Sequence, residues 1–572
     1  MLIAPRPLKH YLIRSGYVFA LFVLMYTAGQ ATFGWQALRD VGDSARFGQF
    51  LFDLFSVVQL TLVVAASLLF ASGSVATEKD RRTLVLLLMT DLSNVELVFG
   101  KILSSLLTVL VLIAASLPVF CLVHLLGGVS LSQILWVEAL CVAAAFAAGA
   151  WGVLVAFWRE KTFQTLAISV LGTVLFIGLI EILVTVLGEG STAATRIGAF
   201  DPFRALLGIL NPLAAQPDAA VPTVQAWLPI GLQLGLAGLL TAATVLRVRV
   251  WNPSQAVFEQ AAAQTLAEEA AAAQPTLSRK VHRAVWTVPI LWREICTRAY
   301  GRRIILIKAA YFVFAALIVL YLLRTPEDAG LVLGLISRQG FAFVAVSLVA
   351  MILVNAQAVT AITSERDDQT MELVMVTEVP ANEFIIGKLA GVLFNMKEVL
   401  AVPIGFVIAA VVQGSLSAEN ALYVALGLAV LTLFSAILGV HQGLTYEISR
   451  QAIAHSLGTM FFLFVGIFIC MMLIVEARAS YTLQFLPFLV FILGGSLGLY
   501  ASLARKNPSA ALMLSAGILP ILTFSAITYF LLGNTLGVAG LVLFAYGFPA
   551  WAMYVPASSS YDVALGRSSE RG

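Results

Sequence analysis

Charge is what this chain has least of. Asp, Glu, Lys and Arg make up 11% of its 572 residues, where an ordinary soluble domain carries about a quarter. So few ionisable groups cannot cover the surface of a water-soluble molecule this long. The formal net charge is only +3, too mild to draw a polyanion, so no nucleic-acid partner is expected. Cysteine is scarce as well. Cys121, Cys141, Cys296 and Cys470 lie far apart, which argues against a disulfide framework or the paired spacing of a zinc site. No Ser/His/Asp set, paired carboxylates or Cys/His cluster stands out, so no catalytic residue and no metal site is assigned. His124 and His441 stand alone in apolar runs and read as packing residues.

What the chain has instead is long hydrophobic runs, with 60% of its residues apolar or aromatic. A helix needs about 20 residues to cross about 30 Å of hydrocarbon. Suitable windows fall near residues 15–35, 50–75, 102–126, 132–157, 163–187 and 226–246. A second series follows near 304–323, 340–362, 390–413, 420–445, 456–475, 482–503, 509–532 and 536–556. The expected fold is an all-α polytopic membrane protein of about fourteen transmembrane helices, twelve being admissible. The first run follows Arg6, Lys9 and Arg14 as in a signal peptide, but no small-residue cleavage site follows it, and it reads as a retained anchor.

Charge placement sets the orientation. With the N-terminus in the cytoplasm, 26 of the 34 Lys and Arg fall on that side, seven fall outside and Lys397 falls within a span. The positive-inside rule supports this arrangement, and the lack of a long targeting region favours a plasma membrane, the bacterial inner membrane being expected. The largest cytoplasmic segment separates the two series. It opens with an Ala-rich stretch, Ser254 to Gln274, of high helix propensity. A basic run with Trp286, Trp292 and Arg293 follows, the composition of an amphipathic helix lying at lipid headgroups. The chain divides accordingly into 1–250, a linker at 251–303, a second six-span unit at 304–507, and an added C-terminal helix pair with its tail at 508–572.

Comparison of the chain with itself is more informative. Residues 77–101, TEKDRRTLVLLLMTDLSNVELVFGK, align without a gap to 364–388, SERDDQTMELVMVTEVPANEFIIGK, at an offset of 287. Glu78/Glu365, Asp80/Asp367, Thr83/Thr370, Thr90/Thr377, Gly100/Gly387 and Lys101/Lys388 are identical, and Lys79/Arg366 keeps its charge. Both segments join a second span to a third on the same side, so the units are parallel repeats rather than inverted ones. Each contains an apolar stretch too short to span, which reads as a short helix lying under the membrane. Ser93 and Glu96 form a capping-box pattern at the start of the third span, and Pro380 fits a helix start in the other copy.

At these residues the chain resembles the membrane subunits of type-2 ATP-binding-cassette (ABC) exporters. Their acidic-basic-acidic cluster, Thr, leucine-rich turn, loop Thr and Gly-Lys pair are met here by Glu78, Lys79, Asp80, Thr83, Thr90, Gly100 and Lys101. They are met again by Glu365, Arg366, Asp367, Thr370, Thr377, Gly387 and Lys388. The family often has Gly before the first Thr and Pro after the second. This chain has Arg82 and Gln369, then Asp91 and Glu378. The resemblance implies an ATP-driven exporter whose permease halves are fused, with the two segments as coupling helices seated on cytoplasmic ABC ATPase subunits, two per chain. ATP and Mg would be held there. Gly100-Lys101 and Gly387-Lys388 are followed by Ile102 and Leu389, so neither belongs to the G-x-x-x-x-G-K-[ST] phosphate cradle.

Three charges are candidates for an intramembrane pathway: Lys397, Glu398 and Glu181. A central Lys costs about 2.5–3.5 kcal/mol on insertion scales, and adjacent residues do not face each other on a helix, so each needs a partner elsewhere. Asp53 and Glu138 read as interfacial, near span ends. A segment at 191–225 reads as a short helix against the outer leaflet. Two other readings remain at this point, an ion- or proton-coupled secondary transporter and a non-transporting scaffold that recruits an ATPase. The substrate is not legible.

Overall fold

The computed structural model describes residues 8–33, 41–80, 83–159, 162–188, 191–211, 226–252, 288–296, 304–324, 336–367, 370–375, 379–477, 481–504 and 509–564. Helix accounts for nearly all of them, and no strand is present among the described residues. In hydrocarbon every backbone N–H and C=O must be satisfied within its own segment, and a helix does this. The first group comprises α1 (Leu8–Phe33), α2 (Val41–Asp80), α3 (Thr83–Leu88), α4 (Asn94–Leu126), α5 (Leu131–Trp158) and α6 (Thr162–Leu187). It continues with the short α7 (Thr192–Gly198) and α8 (Pro202–Leu210), then α9 (Trp227–Trp251). The second group comprises α10 (Pro289–Cys296), α11 (Ile304–Arg324), α12 (Arg338–Asp367), α13 (Thr370–Met375), α14 (Ala381–Asn395), α15 (Lys397–Val412), α16 (Ala418–Thr445) and α17 (Ser449–Ala477). It ends with α18 (Tyr481–Leu503), α19 (Ala510–Leu531) and α20 (Thr535–Ala564).

Twelve of the described helices are long and apolar enough to cross a membrane, and the bent pair α14–α15 passes the same test together, as a broken span or a re-entrant loop. The protein is an all-α, multi-pass membrane protein. Each of the fourteen hydropathy windows falls on helix, but the window at 390–413 is not one straight element. The chain turns by 60° between α14 and α15. Residues 254–274 and 302–303 lie outside the described residues.

Helix starts recur at one spacing. Residues 83, 94, 131 and 162 open α3, α4, α5 and α6, and 370, 381, 418 and 449 open α13, α14, α16 and α17, each 287 later. The turn after α4 contains Gly127 at φ +94°, and the turn after α15 contains Gly414 at φ +74°. Both are left-handed positions that a side chain would strain. The expected capping box is present: Glu96 N donates to Ser93 Oγ at 3.3 Å and Ser93 N donates to Glu96 Oε2 at 2.9 Å. Pro380 occupies the N-cap of α14.

Packing repeats too. α2 lies against α5 and α4, and α12 against α16 and α15. α9 lies along α5 and touches α4; the helix with that place on α16 and α14 is α20. The helices added to the second group, judged by their neighbours, are therefore α18 and α19, where 508–572 is the pair expected from chain order. Hydropathy orders spans along the chain but carries no information about neighbours. The two groups meet along two seams, α6 with α11 and α12, and α17 with α1 and α2, and α18 packs on α1.

Candidate functional site

The repeated segments lie at the same end of the bundle and are built from the same contacts. At the end of α2, Glu78 forms an ion pair with Lys101 in the second turn of α4. At the end of α12, Glu365 pairs with Lys388 of α14 at 2.6 Å. Next to each acid is a cation that reaches the open carbonyls of a neighbouring helix end, where the helix dipole is negative. Lys79 Nζ donates to the carbonyl oxygens of Phe157 at 2.6 Å and Arg159 at 2.9 Å, at the end of α5. Arg366 donates to the carbonyls of Tyr446 and, at 2.7 Å, Gly443, at the end of α16. Thr83 Oγ1 donates to the Glu78 carbonyl at 3.3 Å, and Thr370 Oγ1 to the Glu365 carbonyl at 3.1 Å. Each Thr thereby starts its short helix directly under the preceding one.

The remaining sequence-marked residues are distributed as follows. Thr90 Oγ1 donates to the Leu87 carbonyl at 2.6 Å and closes the turn after α3. Asp367 accepts from Ser449 Oγ at 2.5 Å, which ties the end of α12 to the start of α17. Gly100 is exposed with nothing near it, whereas a Cβ on Gly387 would lie 2.9 Å from Ile290. The side chain of Asp80, and Thr377, lie outside the described residues.

The copies differ in what else touches them. In the first, Arg249 of α9 donates to Asn94 Oδ1 at 2.7 Å and to the Leu92 carbonyl at 3.1 Å. In the second, Tyr554 of α20 donates to Asn382 Oδ1 at 3.0 Å. The larger difference is α10, which the sequence places at lipid headgroups. It packs on α14, and a Cβ on Gly391 would come within 2.6 Å of Glu294. Glu294 is 2% exposed and accepts from Lys388 at 2.5 Å, and Arg293 pairs with Glu365. Two acids and two bases thus share one partly buried network where the first copy shows, among the described residues, the pair Glu78–Lys101. Sequence reading missed Arg293 and Glu294 as partners. The only signal was an acid beside a base in an otherwise apolar-aromatic turn.

The three intramembrane candidates are not brought together. Glu181 binds Arg204 of α8 through both oxygens, at 2.8 and 2.7 Å, near the opposite end of the bundle from α3. Glu398 accepts from Lys308 at 2.7 Å, only about 6 Å of helix rise from the start of α11. Lys397 is exposed, its ammonium 3.8 Å from the centroid of the Phe394 ring. Glu138, near the start of α5, is 7% exposed and accepts from Gln59 Nε2 at 3.1 Å and Ser116 Oγ at 3.2 Å. Asp53 is half-buried and accepts from Gln49. Both histidine rings hydrogen-bond backbone carbonyls, His124 that of Val129 and His441 that of Leu503.

Each segment ties the end of one long helix to the start of the next. It can transmit force, because displacing α3 or α13 moves the end of one long helix and the start of the next together through an ion pair. No family model matches the chain, and no curated protein is significantly similar to it.

Proposed function

We propose that the chain is the membrane-spanning subunit of an ATP-driven exporter of the type-2 ABC class, with both permease halves in one polypeptide. The observation that carries this reading is the duplicated short helix. α3 and α13 each lie between two long helices joined by a Glu-Lys pair, and α3 with the turn after it carries Leu86 (62% exposed) and Met89 (60% exposed) away from the bundle. Large apolar side chains exposed beyond a span's end favour a protein partner over water. On this reading the partner is a pair of cytoplasmic ATPases, one under each short helix, in a bacterial inner membrane with the N-terminus inside. ATP and Mg belong to that partner, since the chain has no phosphate cradle. Closure of the ATPases on ATP pushes α3 and α13. Their Glu-Lys pairs carry the push into α2, α4, α12 and α14, and the two groups tilt against each other.

The test is isolation of the complex from its native membrane in mild detergent. Wild type is expected to retain a Walker-motif ATPase at about two per chain, and Leu86→Asp with Met89→Asp to lose at least half of it. The doubly substituted chain should still insert and elute as a single species. Retention of the ATPase at the wild-type ratio, or purification of the wild-type chain with no ATPase, overturns the reading.

A further inference from the structure

A chain of hydrogen bonds crosses the interior of the first group from α1 to α4. Tyr17 Oη of α1 donates to Gln59 Oε1 of α2 at 3.4 Å, and Gln59 Nε2 donates to Glu138 Oε2 of α5 at 3.1 Å. The other oxygen of Glu138 lies 3.2 Å from Ser116 Oγ of α4, which in turn donates to the Ile113 carbonyl at 2.7 Å. Gln59, Ser116 and Glu138 are 1%, 0% and 7% exposed. The site lies about 10 Å of helix rise from the start of α5 and about 15 Å from the end of α4, within the apolar length of both.

The charge state follows from counting hydrogens. As a carboxylate Glu138 would accept both contacts, but a serine hydroxyl has one hydrogen to give and a carbonyl has none. At 2.7 Å the Ile113 carbonyl takes the hydrogen of Ser116, and the longer contact then joins two oxygens with no hydrogen between them unless the acid brings its own. A protonated Glu138 brings it. Tyr17, Gln59, Glu138, Ser116 and Ile113 then form one directed chain, each donating to the next. The surrounding charges agree. Of the titratable groups, Tyr17 and Cys141 face Glu138, and neither is a cation. Lys79, Lys101, Arg204 and Arg249, on helices packed around the site, are bound near helix ends by other acceptors, and Arg14 and Arg46 are exposed. The acids Asp53 and Glu181 are held by Gln49 and Arg204, and the His124 ring by the Val129 carbonyl. Among the described residues no cation pairs with Glu138, and a buried carboxylate without one is costly.

The fold of the six-span unit does not demand these groups. At the 287-residue offset Tyr17, Gln59, Ser116 and Glu138 correspond to Ile304, Val346, Pro403 and Ala425. Val346 and Pro403 are buried, as Gln59 and Ser116 are. The second group fills the equivalent place with apolar side chains, so the polar set is an addition specific to the first.

We infer that Glu138 is a proton-binding site within the membrane-spanning part of the first group, and that the bound proton ties α5 to α4 through Ser116. The inference is independent of the coupling reading, since it requires no ATPase. It is tested on the full-length chain reconstituted in phosphatidylcholine vesicles and titrated while infrared spectra are recorded in water and in heavy water. At pH 7 wild type is expected to show a protonated-carboxyl C=O band that moves on deuteration, that Glu138→Gln lacks, and that gives way to carboxylate bands as pH rises. Ser116→Ala removes the acceptor of the proton and should move the midpoint of that titration down by about one pH unit, the weight of one hydrogen bond. If Ser116 instead donated to a carboxylate, its removal would move the midpoint up. The unfolded chain has released this proton by about pH 4, so the unfolding temperature of wild type should fall as pH rises through the same midpoint. Glu138→Gln, which reproduces the neutral acid, should not show that fall. A wild-type minus Glu138→Gln spectrum with carboxylate bands alone at pH 7 overturns the inference, and so does an unchanged or raised midpoint in Ser116→Ala. If Glu138→Gln does not elute as wild type does, the direction of the Ser116→Ala shift decides.

Discussion

Lys101 and Lys388 occupy equivalent positions in the two segments yet carry different burdens. Lys101 has one acid partner and a side chain 19% exposed, while Lys388 is 1% exposed between Glu294 and Glu365. Removing a cation from a buried pair leaves an uncompensated charge, at about 3–5 kcal/mol, whereas a partly exposed pair contributes about 1 kcal/mol or less. Lys388→Met is therefore expected to lower the unfolding temperature several times more than Lys101→Met, measured in one detergent. Equal losses would show that the α10 contacts do not bury the network. The repeated acids and cations were legible because they recur at one offset, and their local bonds, five and 23 residues apart, follow from it. The pairing of Lys388 with Glu294 was not, because it spans 94 residues and depends on where α10 docks.

Short helices at the other end show what caps and burial do to an element. α8 begins at Asp201, whose carboxylate accepts from Phe203 N at 2.9 Å and whose side chain is 2% exposed. Burial pushes the Asp201 carboxyl from 3.8 up to about 7, and the neighbouring Glu181 adds to this, while the Phe203 amide and Arg204 oppose it. The folded cluster therefore keeps a proton that the unfolded segment has already released. This contribution is full below about pH 4 and is lost as pH rises through about 7. Hydrogen exchange in residues 202–210, corrected for intrinsic rates, is expected to show less protection at pH 8 than at pH 5. Asp201→Asn, which can still cap, should flatten that difference, and an unchanged pH dependence in this variant would remove Asp201 as its source. The short helix α8 was legible from its apolar composition and from Asp201-Pro202, a cap followed by a proline at the first helical position. The break between α14 and α15 was not. No proline lies at the junction, the nearest being Pro403, and a hydropathy window does not register direction. The break also changes the meaning of Lys397 and Glu398, which hydropathy places inside a straight span.

The two groups of helices pack around an approximate two-fold relation: α6 meets α11 and α12 as α17 meets α1 and α2. The relation is broken by α18, which lies on α1 with no equivalent on the other seam among the described helices. Phe488 of α18 and Phe524 of α19, with ring centroids 5.0 Å apart, join Leu21 and Leu24 of α1 in one buried cluster. Among the described residues one seam is thus covered by two extra helices and the other is not. If the groups tilt against each other during ATP turnover, movement belongs to the uncovered seam, where a side chain at Gly178 would stand 4.0 Å from Leu317. Gly178→Cys with Leu317→Cys should be joined by a short bifunctional methanethiosulfonate cross-linker, and the cross-linked complex should lose most of its ATPase activity and regain it with reductant. Full turnover by the cross-linked complex would mean that the groups do not separate along α6 and α11. The order of the spans could be read from hydropathy and their orientation argued from charge. Which seam is free to open depends on the packing of α18 against a helix more than 400 residues earlier in the chain, and no local pattern of side chains encodes that.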